Sequence, residues 1–369
     1  MDSQAQVPVV KQRLMSVDAL RGFDMLWIVG GREVLVGLAM VFGADVTTAV
    51  EANFHHQWGE FHFWDLIMPL FLFIVGVVMP ISFGRRLEHG TAKKELYKHV
   101  FRRVVLLYLL GLIASGHLLS FDSSRIHLWT DTLHAIAVGY LFSSILFLEL
   151  NLRWQVAITV GLLFLYWAVM ALIPIPGVGA GFYEPKMNLA FYVDDLVLGH
   201  WQEGEGWTYI LTNMTFICSV MLGVFAGNIL LSKQTEMKKT TQLAALGVGC
   251  LVAGKIWGIW FPIIHYLWTS SLVLYAGGWS FLLMALFYLV IDVWGYKKWS
   301  FAFVVIGMNA IAVYVASHLF NFALIGNIFV GGFAKSIGPW KDFVEATAAL
   351  AATWLILYWM YLRKDFIKI

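Results

Sequence analysis

Charged residues are scarce in this sequence. Only 13% of the 369 residues are Asp, Glu, Lys or Arg, whereas 60% are hydrophobic. Together with a mean hydropathy of +0.75, this shortage excludes a soluble globular protein and indicates a polytopic membrane protein surrounded by a lipid bilayer. We expect no nucleic-acid partner.

Cysteine is rarer still, with two residues in the chain. Cys218 and Cys250 both lie in apolar runs, where an isolated thiol behaves as a small hydrophobic side chain. A disulfide framework is therefore not expected. No Cys/His spacing suits a metal site, so we expect no metal. The opening MDSQAQVPVVKQR lacks the apolar core of a cleavable signal peptide.

Internal repeats and domain breaks are also lacking, so we expect residues 1–369 to form one transmembrane domain. Apolar segments long enough to span a bilayer predict an all-α bundle of about ten helices, because helices satisfy their own backbone hydrogen bonds in lipid. These ten segments lie near 22–42, 62–83, 104–120, 132–149, 155–173, 208–231, 241–261, 269–292, 300–320 and 343–362.

The distribution of basic residues predicts the orientation of these spans. Nineteen of the 25 Lys and Arg residues fall on one side if there are ten spans and both termini are cytoplasmic. This bias fits the positive-inside rule. We therefore expect a multi-pass protein of the inner (plasma) membrane.

The predicted outer loops are rich in carboxylates and aromatic residues. The longest, 174–207, is punctuated by Gly and Pro and carries the acidic pair Asp194 and Asp195. Loops of this length are commonly lids or binding surfaces. An amphipathic segment lying on the membrane surface is the other interpretation.

The stretch 51–79 combines a polar, aromatic loop with an apolar helix. The loop carries His55, His56, Trp58 and Glu60, and Asp65 follows at the start of the predicted second span. Titratable groups at the lip of a membrane helix are costly, which predicts a functional site here. Asp65 is also explained as a carboxylate stabilised by the helix dipole.

Further polar residues fall inside predicted spans, where each ionisable group costs roughly 2.5–3.5 kcal/mol. Arg32 and Glu33 follow a Gly pair in the first span; they predict either a structural ion pair or a polar cavity in which Arg32 meets a ligand. His134, Asn309 and His318 are either interhelical hydrogen-bond partners or substrate-binding residues. Together they favour an internal polar chamber.

Several motifs resemble the heparan-α-glucosaminide N-acetyltransferase family of transmembrane acyltransferases. RLMSVDALRGFDML resembles that family's entry into its first helix, and His55-x-x-Trp58…Asp65-x-x-x-Pro69 has the spacing of its His-x-x-Trp…Asp-x-x-x-Pro block. MLGVFAGNILL, FPIIHYLWTSSLVL, IGMNAIAVYVASH and the terminal RKDFIKI are also similar. Arg32 departs from the pattern, because the family carries asparagine there.

The resemblance implies transfer of acetyl from acetyl-CoA to the amino group of a glucosamine-type sugar, with His55 as the essential histidine. It also suggests a homodimer, which the sequence permits. Some bacterial relatives are labelled transporters of N-acetylglucosamine-type sugars, so transport is the alternative function.

Acetyl transfer to an amine needs a base and a donor to the developing oxyanion. We predict His55 as the base, or as a nucleophile forming an acetyl-histidine. Asp65 or Glu60 would orient its ring, and Trp58, His134 or Asn309 would donate to the oxyanion. Cytoplasmic arginines, namely Arg21, Arg85, Arg102 and Arg103, are available for the CoA nucleotide, although the positive-inside rule also explains them.

Overall fold

The computed structural model describes residues 14–116, 118, 127–129, 131–202, 206 and 208–366. Within these ranges the chain is all-α: it has no strand, and its one isolated β-bridge joins Ile175 and Gly179. The helices are α1 (Met15–Leu26), α2 (Arg32–Val41), α3 (Ala44–Ala52), α4 (Trp64–Glu88), α5 (Lys93–Ala114), α6 (Thr132–Glu149), α7 (Leu152–Leu172), α8 (Leu189–Leu198), α9 (Asn213–Leu231), α10 (Glu236–Trp257), α11 (Ser270–Phe287), α12 (Phe301–Met308), α13 (Ala310–Leu319), α14 (Phe322–Ala334) and α15 (Lys341–Arg363).

Each predicted apolar segment coincides with helical structure, which confirms the all-α prediction. By length and composition, six helices of the described chain are suited to crossing a membrane, namely α4, α6, α7, α9, α11 with its π-helical extension, and α15. The bent pair α12–α13 makes a seventh if it counts as one span. The predicted count of ten and the cytoplasmic placement of both termini remain predictions.

Two predicted spans are interrupted. A π-helical turn, Trp27–Gly31, joins α1 to α2, and Gly30 within it has φ 144°. This region of φ is open to glycine and strained for other residues, so Gly30 permits the kink. The second break lies at Asn309, where α12 and α13 meet at 73°.

Helix α4 lies at the centre of the bundle, because 83% of its apolar 18-residue stretch is buried inside the protein. Only 11% of the corresponding stretch at α15 is buried. Small residues let α9 approach α4 closely. A Cβ on Gly76 would lie 1.9 Å from the carbonyl oxygen of Val220, and one on Gly223 would lie 1.9 Å from that of Phe73. Gly223-x-x-x-Gly227 is thus used for packing inside the chain.

The bundle has two ends. We call the end that holds residue 14, the turns 89–92 and 232–235, and residues 364–366 the termini face. The opposite end, formed by residues 42–63, the described parts of 173–212, 258–269 and 320–340, is the loop face. Hydrogen bonds tie each end together; for example, Asn309 donates to the Asp365 carbonyl, and Trp58 donates to the Tyr183 carbonyl.

The long segment 174–207 folds onto the loop face. Part of it forms α8, which Asn188 caps by accepting from the Phe191 amide. A separate apolar cluster beneath it brings Tyr166 and Leu189 together with Phe261. Asp194 is buried there and accepts from the Ile210 amide at 2.9 Å. The described part of this loop therefore packs on the bundle and covers the segment 258–269.

Candidate active site

The loop that enters α4 is held by its own backbone and by Asp65. The Trp64 amide donates to the Asn53 carbonyl at 3.0 Å, which closes the loop 53–64. Asp65 lies in the first turn of α4, is fully buried, and accepts from the His62 amide at 2.7 Å. A carboxylate at a helix N-terminus is favoured by the dipole, and here it also fixes the loop that carries the histidines.

Asp65 holds His56 rather than His55. The Nδ1 of His56 lies 2.5 Å from Oδ1 of Asp65. Because a carboxylate only accepts, Nδ1 carries a proton, and in the singly protonated ring Nε2 keeps its lone pair. The expected pairing of Asp65 with His55 is therefore absent from the described structure.

His55 points in another direction. Its side chain is exposed, and its Nε2 lies 3.5 Å from the Arg32 guanidinium, which can only donate. The physical reason is local: adjacent residues in this turn project to different sides, so only one of two neighbouring rings can reach Asp65. The other proposed orienting group, Glu60, lies 3.5 Å from His62 Nε2 instead.

His265 is a site residue that sequence reasoning did not assign. Its ring stacks on His56 with centroids 4.0 Å apart and planes 10° apart. Burial, together with the neighbouring His56, lowers the pKa of His265 well below its usual range, so it stays neutral. The available signal was a histidine within FPIIHYLWTSS, a polar run directly before an apolar helix.

Aromatic side chains fix this part of the site from the outside. Trp58 stacks on Tyr266 with centroids 5.2 Å apart. Its indole N–H donates to the Tyr183 carbonyl at 3.0 Å. Trp58 therefore positions the covering segment, and its N–H is already used, which is contrary to the expected role as an oxyanion donor.

His56 and His265 line a cavity of about 200 Å³ that reaches inward between the helices. Its walls come from the π-helical turn after α1, the first turns of α4 and α6, α13 and the segment 258–269. The lining residues are Ile28, His56, Trp64, Ile67, Met68, Phe71, Thr132, Leu133, Ile136, His265, Ile311, Tyr314 and His318. We call this the histidine cavity.

A second buried carboxylate, Asp131, bonds to the α13 wall of the histidine cavity. Asp131 caps α6 by accepting from the Leu133 amide at 2.7 Å, and its other oxygen accepts from the Tyr314 hydroxyl at 3.2 Å. His318 lies one turn further along and donates from Nδ1 to the Tyr314 carbonyl at 2.9 Å. His318 thus reaches the predicted chamber, while Tyr314 was not predicted.

Two other predicted substrate ligands lie outside this cavity. His134 is buried against α5 and donates from Nε2 to the Tyr108 carbonyl at 3.1 Å. It shares a face with Asp131, since a Cβ on Gly111 would touch both side chains. Asn309 occupies the break between α12 and α13 and donates to the Asp365 carbonyl at 3.4 Å. His134 is used in packing α6 against α5, and Asn309 lies at the bend between α12 and α13.

Arg32 and Glu33 diverge, so the predicted structural ion pair does not form between them. Arg32 approaches His55 and lies 5.7 Å from the Trp64 ring centroid. Glu33 lines a separate cavity of about 660 Å³. The other acidic residues of this second cavity are Asp342 and Glu345, and His318 borders both cavities. We call it the acidic cavity.

The termini face has an arginine-lined cavity of about 580 Å³. Arg21, Arg85 and Arg86 contribute to it, together with Asp18 and Phe366. The predicted Arg102 and Arg103 do not: Arg102 is exposed on α5, and Arg103 lies 4.3 Å from the Tyr140 ring centroid. Helix α5 contributes no residue to this cavity, whose lining comes mainly from α1 and α4.

The histidine and arginine cavities use the same elements. On α4 the linings end at Phe71 and resume at Val78, a gap of about 10 Å at 1.5 Å per residue. At the α12–α13 break, Met308 faces the arginine cavity and Ile311 the histidine cavity. Only a short packed region therefore separates the two.

The described residues include one set that could be considered for a metal. Ligand atoms of His56, Asp65 and His265 lie within 4.8 Å of one another. However, the two imidazole planes are nearly parallel, so their in-plane lone pairs do not converge on one ion. The Nδ1–Asp65 hydrogen bond also occupies the position that a cation would take. Proton transfer suits this arrangement better.

Comparison with known proteins identifies relatives along most of the chain. A family model described as heparan-alpha-glucosaminide N-acetyltransferase, catalytic, matches residues 13–255. The human protein named heparan-alpha-glucosaminide N-acetyltransferase is 26% identical over 423 residues, covering 97% of this chain and 60% of the human protein. The mouse protein of that name is 25% identical over 375 residues, covering 85% of this chain and 56% of the mouse protein. This chain thus spans less than two thirds of the length of either relative.

Proposed function

The chain belongs to the heparan-alpha-glucosaminide N-acetyltransferase family, and we propose that it transfers acetyl from acetyl-CoA to the amino group of a glucosamine-type sugar. The reaction would take place in the histidine cavity. The observation that carries the proposal is the bond from His56 Nδ1 to the buried Asp65. It orients an imidazole at a cavity wall, and a singly protonated imidazole can take the proton that acyl transfer to an amine releases.

The CoA nucleotide is assigned to the arginine cavity. Guanidinium groups suit phosphate because their N–H donors match its oxygens in pairs, and Arg85 and Arg86 supply two of them at the end of α4. The pantetheine arm would then run along α4 and past the α12–α13 break toward His56. With the termini cytoplasmic, donor and acceptor would enter from opposite sides of the inner membrane.

His56 is assigned as the general base. The amine nitrogen attacks the thioester carbonyl, forming a C–N bond, and its proton moves to His56 Nε2. The C–S bond then breaks, and the departing CoA sulfur takes the proton back from the imidazolium. Asp65 stabilises the imidazolium while it exists. His265, neutral and stacked on His56, keeps the ring in place without adding positive charge.

The family resemblance favours His55 and the geometry favours His56. We assign the base to His56 because the Nε2 of His55 faces a permanent cation, Arg32. The Nε2 lone pair of His55 faces the Arg32 donors, and His55 does not line the histidine cavity. His55 and Arg32 would instead form part of the outer rim.

The test is thiol release by the purified protein in detergent or liposomes. Glucosamine should cause release of free CoA from acetyl-CoA together with formation of N-acetylglucosamine, and glucose should not. Release that is independent of any amine would contradict the transfer reaction. Uptake of N-acetylglucosamine into proteoliposomes without acetyl-CoA, with no amine-dependent release, would establish the transporter alternative.

The same preparation separates the base from an acetyl-histidine. A covalent intermediate predicts exchange of labelled CoA into acetyl-CoA in the absence of an amine, because the first half-reaction would be reversible. A base mechanism predicts no such exchange. We expect none, since the Asp65-bound tautomer leaves Nε2 ready for the amine proton.

A further inference from the structure

Tyr314 and Asp131 form a fixed hydrogen-bonded pair at the wall of the histidine cavity. Both side chains are buried, with 7% and 6% of their surface exposed. The Leu133 amide at the start of α6 fixes the orientation of the Asp131 carboxylate. The carboxylate in turn fixes the orientation of the Tyr314 hydroxyl. Asp131 precedes the α6 span, and burial raises its pKa to about 6. It is therefore mainly a carboxylate at neutral pH.

The direction of this hydrogen bond decides what Tyr314 offers to a ligand. A phenol has one proton, and here it is donated to Asp131. A side-chain hydrogen bond also joins the Tyr314 hydroxyl to Thr132. The remaining acceptor capacity of the tyrosine oxygen gains negative character from the carboxylate behind it. It is therefore an acceptor, suited to a ligand N–H rather than to an oxyanion.

The charges of the residues around the Asp131–Tyr314 pair also favour an amino group. Neither the histidine cavity nor the acidic cavity beside it is lined by Lys or Arg among the described residues. His318 borders both cavities, and Glu33, Asp342 and Glu345 line the acidic one. A ligand arriving as an ammonium ion would meet the carboxylates of Glu33, Asp342 and Glu345 along this route.

We propose that the Asp131–Tyr314 pair is the subsite that binds the amino group of the acceptor and selects an amine over a hydroxyl or an acetamide. This inference rests on the proposed acetyl transfer and extends it to acceptor recognition. The tyrosine oxygen accepts one N–H of the ammonium ion. The ion loses one proton to solvent, which frees the nitrogen lone pair, and His56 Nε2 takes the second proton on attack. An N-acetylated sugar should bind more weakly at this pair. Its nitrogen lone pair is delocalised, and its carbonyl oxygen would face the tyrosine oxygen, which is also an acceptor.

The experiment compares Tyr314→Phe with Tyr288→Phe. Tyr288 is a matched control, because it is buried and donates to Glu236 near the termini face, away from the histidine cavity. We expect Tyr314→Phe to raise the KM for glucosamine about tenfold or more, as for loss of a charge-assisted hydrogen bond. The KM for acetyl-CoA should stay within twofold of wild type, and Tyr288→Phe should change neither constant.

Asp131→Asn provides a second variant that keeps the cap of α6, since asparagine is also a good N-cap. It should raise the glucosamine KM in the same sense. Unchanged acceptor KM in both variants, or equal rises for acceptor and acetyl-CoA, would overturn the inference.

Binding without turnover separates this inference from the proposed function. Glucosamine should protect wild-type protein against thermal unfolding in the absence of acetyl-CoA, glucose and N-acetylglucosamine should protect less, and Tyr314→Phe should lose the difference. Protection without any acetyl transfer would refute the proposed function and keep the subsite. Acetyl transfer with equal protection by all three sugars would refute the subsite alone.

Discussion

Carboxylates are treated differently at the two ends of the bundle. At the loop face, Asp65, Asp131 and Asp194 are buried and accept hydrogen bonds from backbone amides. At the termini face, Glu149 and Glu236 are largely exposed and pair with Lys93 and Lys239. Lys239 is itself buried. The pair of Lys93 and Glu149, exposed on both sides, contributes little to stability, whereas a buried carboxylate controls the side chain it holds.

The cavities differ in the same way. The loop face offers oriented imidazole and phenol groups for proton transfer, and the termini face offers guanidinium groups for an anion. One helix, α4, therefore connects two chemically distinct cavities: Asp65 lies in its first turn, and Arg85 and Arg86 lie in its last turn.

The largest effect is expected at the adjacent histidines. His56→Gln should lower kcat about 1,000-fold, because a positioned general base contributes 10²–10⁴-fold. His55→Gln is the matched control and should lose less than tenfold. The measurement is amine-dependent CoA release with folding checked by size-exclusion profile. The reverse pattern would return the catalytic role to His55.

The second-largest effect is expected at Asp65, the carboxylate that orients His56. Asp65→Asn should lower kcat about 100-fold, because the amide no longer fixes the tautomer of His56 or stabilises its imidazolium. The amide still accepts from the His62 backbone, so the loop should hold. Glu60→Gln, which alters a carboxylate that faces His62, serves as control. Equal losses in both variants would show a general effect of loop charge.

At the termini face we expect an effect on donor binding alone. Arg85→Gln combined with Arg86→Gln should raise the KM for acetyl-CoA about tenfold, more at low than at high salt, because phosphate contacts are screened. The glucosamine KM should not change. Arg102→Gln, on the exposed side of α5, is the control, and a rise of the same size there would assign the effect to overall charge.

A smaller effect concerns stability against pH. Burial raises the pKa of Asp194 to about 7, so the folded state binds a proton that the unfolded state has released. Wild-type stability should therefore fall as pH rises from about 4 to about 7, and change little above that.

Asp194→Asn removes this titration and keeps the acceptor for the Ile210 amide. Thermal unfolding should show the variant gaining on wild type between pH 5 and pH 8. Parallel pH profiles for the two proteins would contradict the raised pKa.

The smallest effect is expected from metal removal. Treatment with a chelator should change the rate less than twofold, since His56 and His265 are parallel and Asp65 holds a proton-bearing nitrogen. Loss of activity with a chelator, restored by Zn²⁺, would make these three residues a metal site instead.

Much of the architecture was readable from the chain. Ten apolar segments predicted where helices occur, and each coincides with one, because hydropathy and helix formation in lipid are local properties. The position of a titratable loop at the lip of α4 was predicted from the cost of placing such groups there.

The individual contacts of the site were less predictable. Trp58, His134 and Asn309 were expected at the oxyanion, but each donates to a backbone carbonyl elsewhere. Polar residues in lipid must satisfy their hydrogen bonds, and most do so with the nearest backbone rather than with a substrate. Residue type and depth therefore mark a polar region without marking its ligands.

The helical membrane fold, the order of its segments, the family and the segment that carries the candidate site were all readable from the sequence. The packing of the folded chain shows which of two neighbouring histidines meets Asp65, that His265 stacks on His56, and that Tyr314 joins Asp131 across 183 residues. The reason is that side-chain direction within a turn depends on how the loop closes. Partners far apart in sequence are set by helix packing, which no local pattern specifies.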